Sequence, residues 1–478
     1  MSRTAGSQPR HLVLIVLDTA RADGFAPYNP FAQTPAVQDI SRSGLAHDHA
    51  IASCSWTLPS HVGMLFGQHH RALGLSKPYQ QSAPAAHGTV VGNIASYLPD
   101  VLRRNGYLAV GVSANPWVSK ATGFDCGFDE FTEAWRQLAG PPKRLPARLS
   151  RLWPAWELLM GQTDNGLSVA SEVADRWLET AKSSQRPCML FLNLMECHSP
   201  WRPPKGFNSL APWSRAQAGF AMSALDFQEV WRINLSGELP KESELAAYRQ
   251  LYDDSIRYVD RWLGFFMNEL ADAGILDDTL VVITSDHGEN FGEGGLFGHT
   301  FSLDNRLVRV PLVFSQAPRT ELGPTFSLVD LAGLLASELG VADHPYAPPR
   351  PSTIAVSQVE GVGTPDDERV IDFLARHGLE HTVERLTRDA ICATDGRWKV
   401  ELAGSQWQLF DLQADPLEVD PRPLDRVDPA NLATLMRLKQ SVERVQLRDR
   451  GRSESAPLPV TGTSDEALER HMKLLGYL

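Results

Sequence analysis

The sequence predicts an α/β fold: a large, mostly parallel or mixed sheet sandwiched by helices, with a smaller C-terminal α+β subdomain. Two observations carry the sheet. Apolar runs of strand length alternate with amphipathic stretches of helical length, the rhythm of strand–helix–strand units. Three of those runs lead directly into a carboxylate or a short stretch bearing one, as expected where parallel strands open onto a ligand crevice at their carboxyl ends. A third observation sets the last part of the chain apart. From about residue 385, "RDAICATDGRWKVEL" and "SQWQLFDLQADP" read as a hairpin pair followed by a turn.

The elements follow in order. "HLVLIVLD" (11–18) is a buried strand ending in Asp18. Its apolar run, residues 12–17, is too short to span a bilayer or to serve as a signal-peptide core, and no small-residue cleavage site follows. "GNIASYLPDVLRRNGY" reads as a helix leading into the strand "LAVGVSA", and "VADRWLETAKSS" leads into "CMLFLNLM". "IRYVDRWLGFFMNELADAGI" leads in the same way into "TLVVITSD". Two stretches break the rhythm, 134–165 and 202–248, and read as insertions or lids in a catalytic domain spanning 1–380. A small subdomain is expected over 381–450, a linker over 451–465 ("GRSESAPLPVTGTSD") and an amphipathic helix over 466–478.

The 478 residues, 43% hydrophobic and 21% charged, have ordinary globular composition, enough for a large domain and a smaller one. A formal net charge of −12 argues against a nucleic-acid-coating surface. Five scattered cysteines, with no CxxC pair, suggest neither a zinc site nor a disulfide framework. Free thiols and the lack of a targeting segment give the expectation of a cytoplasmic protein without a membrane anchor.

Chemistry is carried by a few strand-end residues, each with a plainer alternative. Asp18 fits a crevice ligand or a turn-starting Asp. Asp286 and His287, in "VVITSDHGEN", fit one oxygen and one nitrogen for a divalent metal, or a turn with a surface His. In "CSWTLPSH" (54–61), Cys54 and Thr57 are both candidate nucleophiles. Thr57 stands just before a helix start marked by Pro59, where free N–H groups favour an oxyanion; it also fits a simple N-cap. Glu196 and His198, in "FLNLMECHSPWRPP", follow a third strand, and His198 fits a proton donor or a buried structural His. His299 lies in the Gly-rich "GEGGLFGHTFSLDNRLVRVP", a weak signal by itself.

Taken together, these segments resemble the sulfatase family of the alkaline-phosphatase superfamily, in family order and over nearly the whole chain. The resemblance is carried by "LIVLDTARAD", "WTLPSHVGMLFGQHH", "NGYLAVGVSANPW", "TGFDCGFDEF", "LMECHSPWRPP", "YDDSIRYVDRWLGFFMNEL", "VVITSDHGEN", "GLFGHTFSL…RVPLVF", "LQADPLE" and "LLGYL". The family signature is Cys or Ser, any residue, Pro, Ser, Arg, with the first residue oxidised to formylglycine. Pro59 and Ser60 set the register, placing Thr57 at the nucleophile position and His61 at the Arg position. Cys54 lies three residues upstream with Trp56 where Pro is required, so it reads as a packing residue. The Cβ methyl of Thr57 bars conversion to formylglycine, so none is expected.

Other departures point the same way. The Lys-x-His pair that follows the "GY" strand in the family is replaced by "SANP" (113–116), leaving Asn115 as the polar contact. Thr19 stands where many sulfatases have a second metal-binding Asp, and the late-loop Lys is absent near His299 and Thr300. Thr nucleophiles occur elsewhere in the superfamily, in nucleotide pyrophosphatases/phosphodiesterases, phosphopentomutases and glycerophosphate transferases.

The resemblance therefore implies one divalent cation (Mn²⁺, Mg²⁺, Ca²⁺ or Zn²⁺) held by Asp18, Thr57, Asp286 and His287. Thr57 would attack the substrate, His198 would protonate the departing oxygen, and His61 and Asn115 would hold non-bridging oxygens. His299 would be a substrate contact or a second-metal ligand. No His follows "YDDSIRYVD" at the spacing of two-metal relatives, which favours one metal. The expected partner is a small anionic ester: a phosphoester, phosphodiester or phosphonate ester. The alternatives are a sulfuric ester with unmodified Thr, phosphoryl- or sulfuryl-type transfer in a biosynthetic pathway, and a non-catalytic relative that binds an anion. Oligomeric state is not legible in the sequence.

Overall fold

A computed structural model describes residues 10–75, 83–137, 164–349, 352–424 and 431–453. The first apolar run forms the strand His11–Leu17 at the centre of a seven-stranded sheet. It pairs in parallel with Cys188–Leu194 on one side and Thr279–Thr284 on the other. Leu108–Ser113 and Glu130–Glu133 extend the parallel part. Leu312–Phe314 and Leu45–Ala46 close the opposite edge with antiparallel pairings. The sheet is thus mixed, as expected, and its central strands are apolar throughout because helices cover both faces.

Strand alternation divides the core in two. Leu12, Leu14 and Val16 pack with the helices Thr57–Phe66, Leu98–Arg104 and Leu331–Glu338. Val13, Ile15 and Leu17 face the helices Leu167–Ser183 and Glu242–Asp272. Each fully buried aliphatic side chain contributes roughly 1.5–3 kcal/mol to folding.

Register decides what meets at the top of the sheet. Val16 lies beside Thr284, and Leu17 beside Leu194. Residues just beyond those pairs therefore converge: Asp18, Met195–His198 and Ser285–His287. Ser113, paired with Asn193, adds Asn115 from the next strand.

A separate four-stranded antiparallel sheet runs in sequence order through Ala355–Val359, Ala390–Thr394, Trp398–Ala403 and Gln406–Asp411. Its first strand precedes the boundary expected at 381. The helix Leu432–Ser453 follows and enters the expected linker, whose remainder, with 466–478, lies outside the described residues. Most of 134–165 also lies outside them, whereas 202–248 contains the helices Pro212–Met222 and Phe227–Ser236 and the start of Glu242–Asp272. Among the described residues, no helix is long and apolar enough to cross a membrane.

Candidate functional site

Trp56 is extended and the helix begins at Thr57, with no side chain capping its first turn. Thr57 is therefore the first helical residue rather than the N-cap, and its hydroxyl is not used up in capping. Pro59 in the first turn fits the absence of intrahelical partners there, and Gly67, at φ 74°, ends the helix. The Thr57 Oγ1 lies 3.3 Å from Nε2 of His287 and 3.4 Å from Nδ2 of Asn115. Cys54 is buried in the packing beneath this helix, and burial pushes its thiol far above the ordinary range.

The turn after Thr279–Thr284 is stitched to the central strand and to the helix. Ser285 Oγ donates to the His287 carbonyl at 2.6 Å and accepts the Ala20 N–H at 2.9 Å. Asp286 Oδ1 accepts N–H groups from His287 (2.9 Å) and Thr19 (3.2 Å), and the Asp286 carbonyl accepts Ser60 Oγ at 2.6 Å. Nδ1 of His287 faces the Gly288 carbonyl at 3.0 Å. That bond places the ring proton on Nδ1 and leaves the Nε2 lone pair facing Thr57 and Asp286. Burial, reinforced by His299, lowers the His287 pKa to about 3, so the imidazole is neutral as a metal ligand must be.

The two carboxylates are held close together and away from water. Asp18 Oδ2 accepts Asn115 Nδ2 at 2.8 Å, while Asp18 Oδ1 is buried without a hydrogen bond. Asp286 Oδ2 also lacks one; the nearest imidazole nitrogens are His287 Nε2 at 3.4 Å and His61 Nδ1 at 3.5 Å. Burial raises both carboxyls to about 7, and for Asp18 the neighbouring Asp286 adds to it. One ligand atom from each of Asp18, Asp286 and His287 lies within 4.8 Å of the others. Two buried acids with unpartnered oxygens and a neutral imidazole are a donor set that fits a hard or borderline divalent cation. Thr19, at the place of a further acid in the family, has φ 60° and turns its hydroxyl to the Cys197 carbonyl at 2.6 Å.

The expected histidines divide into two kinds. His61 lies under the helix: Nδ1 faces the Thr57 carbonyl at 2.9 Å, and Nε2 faces Asn193 Nδ2 at 3.1 Å. Both nitrogens are engaged within the protein, and burial lowers its pKa to about 3. The geometry thus gives His61 to the support of Thr57, where the sequence pointed to an anion contact. His198 and His299 lie together beside the carboxylate group, with ring centroids 5.3 Å apart and His299 4.6 Å from His287. Nδ1 of His299 bonds Glu289 Oε1 at 3.1 Å, and its Nε2 is buried without a partner. Asn115 is oriented by its own Oδ1, which accepts the Trp117 N–H at 2.8 Å. Glu196 serves elsewhere: it accepts the Leu167 N–H at 2.8 Å at the start of a helix.

Sequence reasoning did not single out Glu289, Asn193 or Arg306, whose Nε donates to Asn290 Oδ1 at 2.9 Å behind the His287 turn. Glu289 stood in the quoted "SDHGEN" and was legible as a buried acid. Asn193, inside an apolar strand, was a second available signal; Arg306 had none.

A family model described as Sulfatase matches residues 10–321. The chain is 30% identical over 268 residues to the choline-sulfatase of Rhizobium meliloti, covering 54% of this chain and 50% of that protein. It is 25% identical over 340 residues to the iduronate 2-sulfatase of Homo sapiens, covering 65% and 60%. It thus spans about half to three fifths of the length of those relatives. The phosphonate monoester hydrolase of Agrobacterium radiobacter has a similar fold, with a TM-score of 0.61 at 16% identity, covering 92% of this chain and 96% of that one.

Proposed function

The chain belongs to the sulfatase family, and from that premise we propose that it is a metal-dependent ester hydrolase with the unmodified Thr57 hydroxyl as nucleophile. Its substrate is a phosphoester, phosphodiester or phosphonate ester. One observation carries this reading: the Thr57 hydroxyl stands at the first residue of a buried helix, uncapped, beside the Asp18, Asp286 and His287 group.

Asp18, Asp286, His287 and Thr57 would hold the cation. A divalent ion there supplies the charge that polarises the ester oxygens and lowers the pKa of an adjacent hydroxyl. The Thr57 side chain is held for in-line attack from the helix N-terminus, and Asn115 orients a non-bridging oxygen. Attack forms a bond from Oγ1 to phosphorus while the bond to the alcohol oxygen breaks. The hydroxyl proton passes to water, and His198 gives a proton to the alcohol oxygen. Water then cleaves the phosphothreonine and regenerates the hydroxyl.

Phosphorus is favoured over sulfur because position 57 is Thr and the Lys-x-His pair is absent from "SANP". A sulfuric ester remains the second reading, supported by the 30% identity to a choline-sulfatase. The test is turnover of p-nitrophenyl sulfate against p-nitrophenyl phosphate mono- and diesters on the metal-loaded protein, with Thr57→Ala as blank. Turnover of phosphorus esters alone supports the first reading. Sulfate turnover that vanishes in the blank moves the assignment to the second.

A further inference from the structure

We propose that Lys399 and Glu418, in the C-terminal sheet and the turn after it, are positioning residues for the site on the main sheet. The inference rests on the site reading above and extends it to a part of the chain with no role in that reading.

The observations form one continuous path. Lys399 lies in the strand Trp398–Ala403 and is 1% exposed. Its Nζ donates to the Leu303 carbonyl at 2.5 Å and pairs with the buried Glu418 carboxylate. The other oxygen of Glu418 accepts the Asn305 N–H at 2.5 Å. Glu418 adopts φ 54°, in the left-handed region that a non-glycine residue enters only when its surroundings impose it. The adjacent Leu417 carbonyl accepts a hydrogen bond from Arg306 Nη1 at 2.8 Å. A lysine and a turn of the C-terminal part thus grip three groups, on residues 303, 305 and 306.

The gripped segment reaches the site from two directions. Arg306 Nε donates to Asn290 Oδ1 at 2.9 Å, and the Gly288 N–H donates to the Leu307 carbonyl at 2.8 Å. Gly288 is pressed against the segment so closely that a Cβ there would lie 1.9 Å from the Arg306 carbonyl oxygen. The Gly288 carbonyl in turn fixes Nδ1 of His287. At its other end the segment continues back to His299, four residues before Leu303. Moving 303–307 therefore moves the carbonyl that orients His287 and the loop that bears His299.

A buried ion pair is a costly way to hold two segments together, because each charge loses its hydration. Its value lies in fixing one arrangement: an unpaired buried Lys or Glu is strongly unfavourable, so the grip is made in full or not at all. Two variants of the full chain, each compared with the parent, test this. In the double variant Lys399→Met/Glu418→Leu both members of the close pair leave together, and the one carboxylate left behind, Glu401 at 3.8 Å from Nζ, keeps partial exposure to solvent. Val400→Ala is the control, since Val400 is in the same strand but packs on its other face with Leu435 and Leu438. The readouts are Mn²⁺ affinity by calorimetry, hydrogen exchange of the peptide spanning Gly288, and melting temperature.

The expected result is Mn²⁺ affinity lowered about tenfold, in line with the loss of partners that orient metal-bound imidazoles. Exchange at the Gly288 amide should rise about tenfold in the double variant, and neither should change in Val400→Ala at a comparable loss in melting temperature. Equal exchange and equal Mn²⁺ affinity in the double variant and the control would overturn the proposal. If the parent protein binds no Mn²⁺, the site reading above fails by itself. The Gly288 exchange then decides the present proposal alone: faster exchange sustains the mechanical link, and unchanged exchange removes it.

Discussion

The two halves of the candidate site are built differently. Asp18, Asp286 and His287 stand one to three residues beyond paired parallel strands, where register places them to within a residue. His198 and His299 stand on connections, and their placement depends on side chains that arrive from elsewhere: Asn165 for the His198 carbonyl and Glu289 for the ring of His299. The first half inherits most of its geometry from the paired central strands of the main sheet. The second is assembled by hydrogen bonds that can be altered one at a time. The contrast shows why cation binding and proton delivery should respond separately to mutation.

The largest effect should come from the strand-end half. Asp286→Asn keeps the shape and can still accept the Thr19 and His287 N–H groups, but removes a charge from the donor set. Turnover should fall by roughly 10³-fold or more, together with metal content measured by mass spectrometry. Full metal content in the variant would remove Asp286 from the ligand set. The loop half should give a smaller and more selective loss. His198→Ala should slow alkyl esters by roughly 10²-fold, in the range of general acid catalysis. p-Nitrophenyl esters, whose leaving group needs little help from a proton, should be slowed far less. An equal loss on both would mean that His198 donates no proton to the leaving oxygen.

The same division explains what could be read in the sequence. The strands His11–Leu17, Cys188–Leu194 and Thr279–Thr284 announced themselves as apolar runs, and Asp18 and Asp286 as their ends. Thr57 was legible because Pro59 and Ser60 fix the register of its segment. His61 was legible as a residue but not in its orientation. Its spacing of four from Thr57 puts the ring on the Thr57 carbonyl, and Asn193 from another strand takes the other nitrogen. No local pattern encodes such a partner. The grip of Lys399 on Leu303 spans 96 residues and was illegible for the same reason. The first strand of the C-terminal sheet, Ala355–Val359, lies 30 residues before its pairing partner begins to read as a strand, with the helix Glu368–His377 between.

A smaller effect follows from the carboxyl pair. Asp18 and Asp286 sit near 7 in the fold through burial, with Asp286 adding to the shift at Asp18, against roughly 3.9 in an unfolded chain. Raised values mean that the fold binds these protons more tightly than the unfolded chain does. Their contribution is complete below about pH 4 and is lost as pH rises through about 7. The metal-free protein should therefore lose melting temperature between about pH 4 and 7, with little further loss above. Added Mn²⁺ replaces the missing protons and should raise the melting temperature more at pH 8 than at pH 5, by several degrees. An equal gain at both pH values would mean that the cation binds away from this pair.

The smallest effect is expected where the chemistry is most concentrated. Thr57→Ser keeps a hydroxyl at the first position of the helix and removes one methyl from a fully buried site. A lost buried methyl costs on the order of 1 kcal/mol of stability, and the reacting oxygen stays in place. Turnover within about tenfold of the parent is expected, because the proposed nucleophilic hydroxyl, the helix N-terminus and the donor set are all retained. The added freedom of the serine side chain, which lacks the branching that restrains threonine, accounts for the residual loss. Loss by more than about 10³-fold would show that the methyl, by holding the hydroxyl in one rotamer, matters as much as the oxygen. The site would then owe part of its precision to a side-chain restraint at a helix start, which neither strand register nor loop hydrogen bonds supply, and a division into two halves would be incomplete.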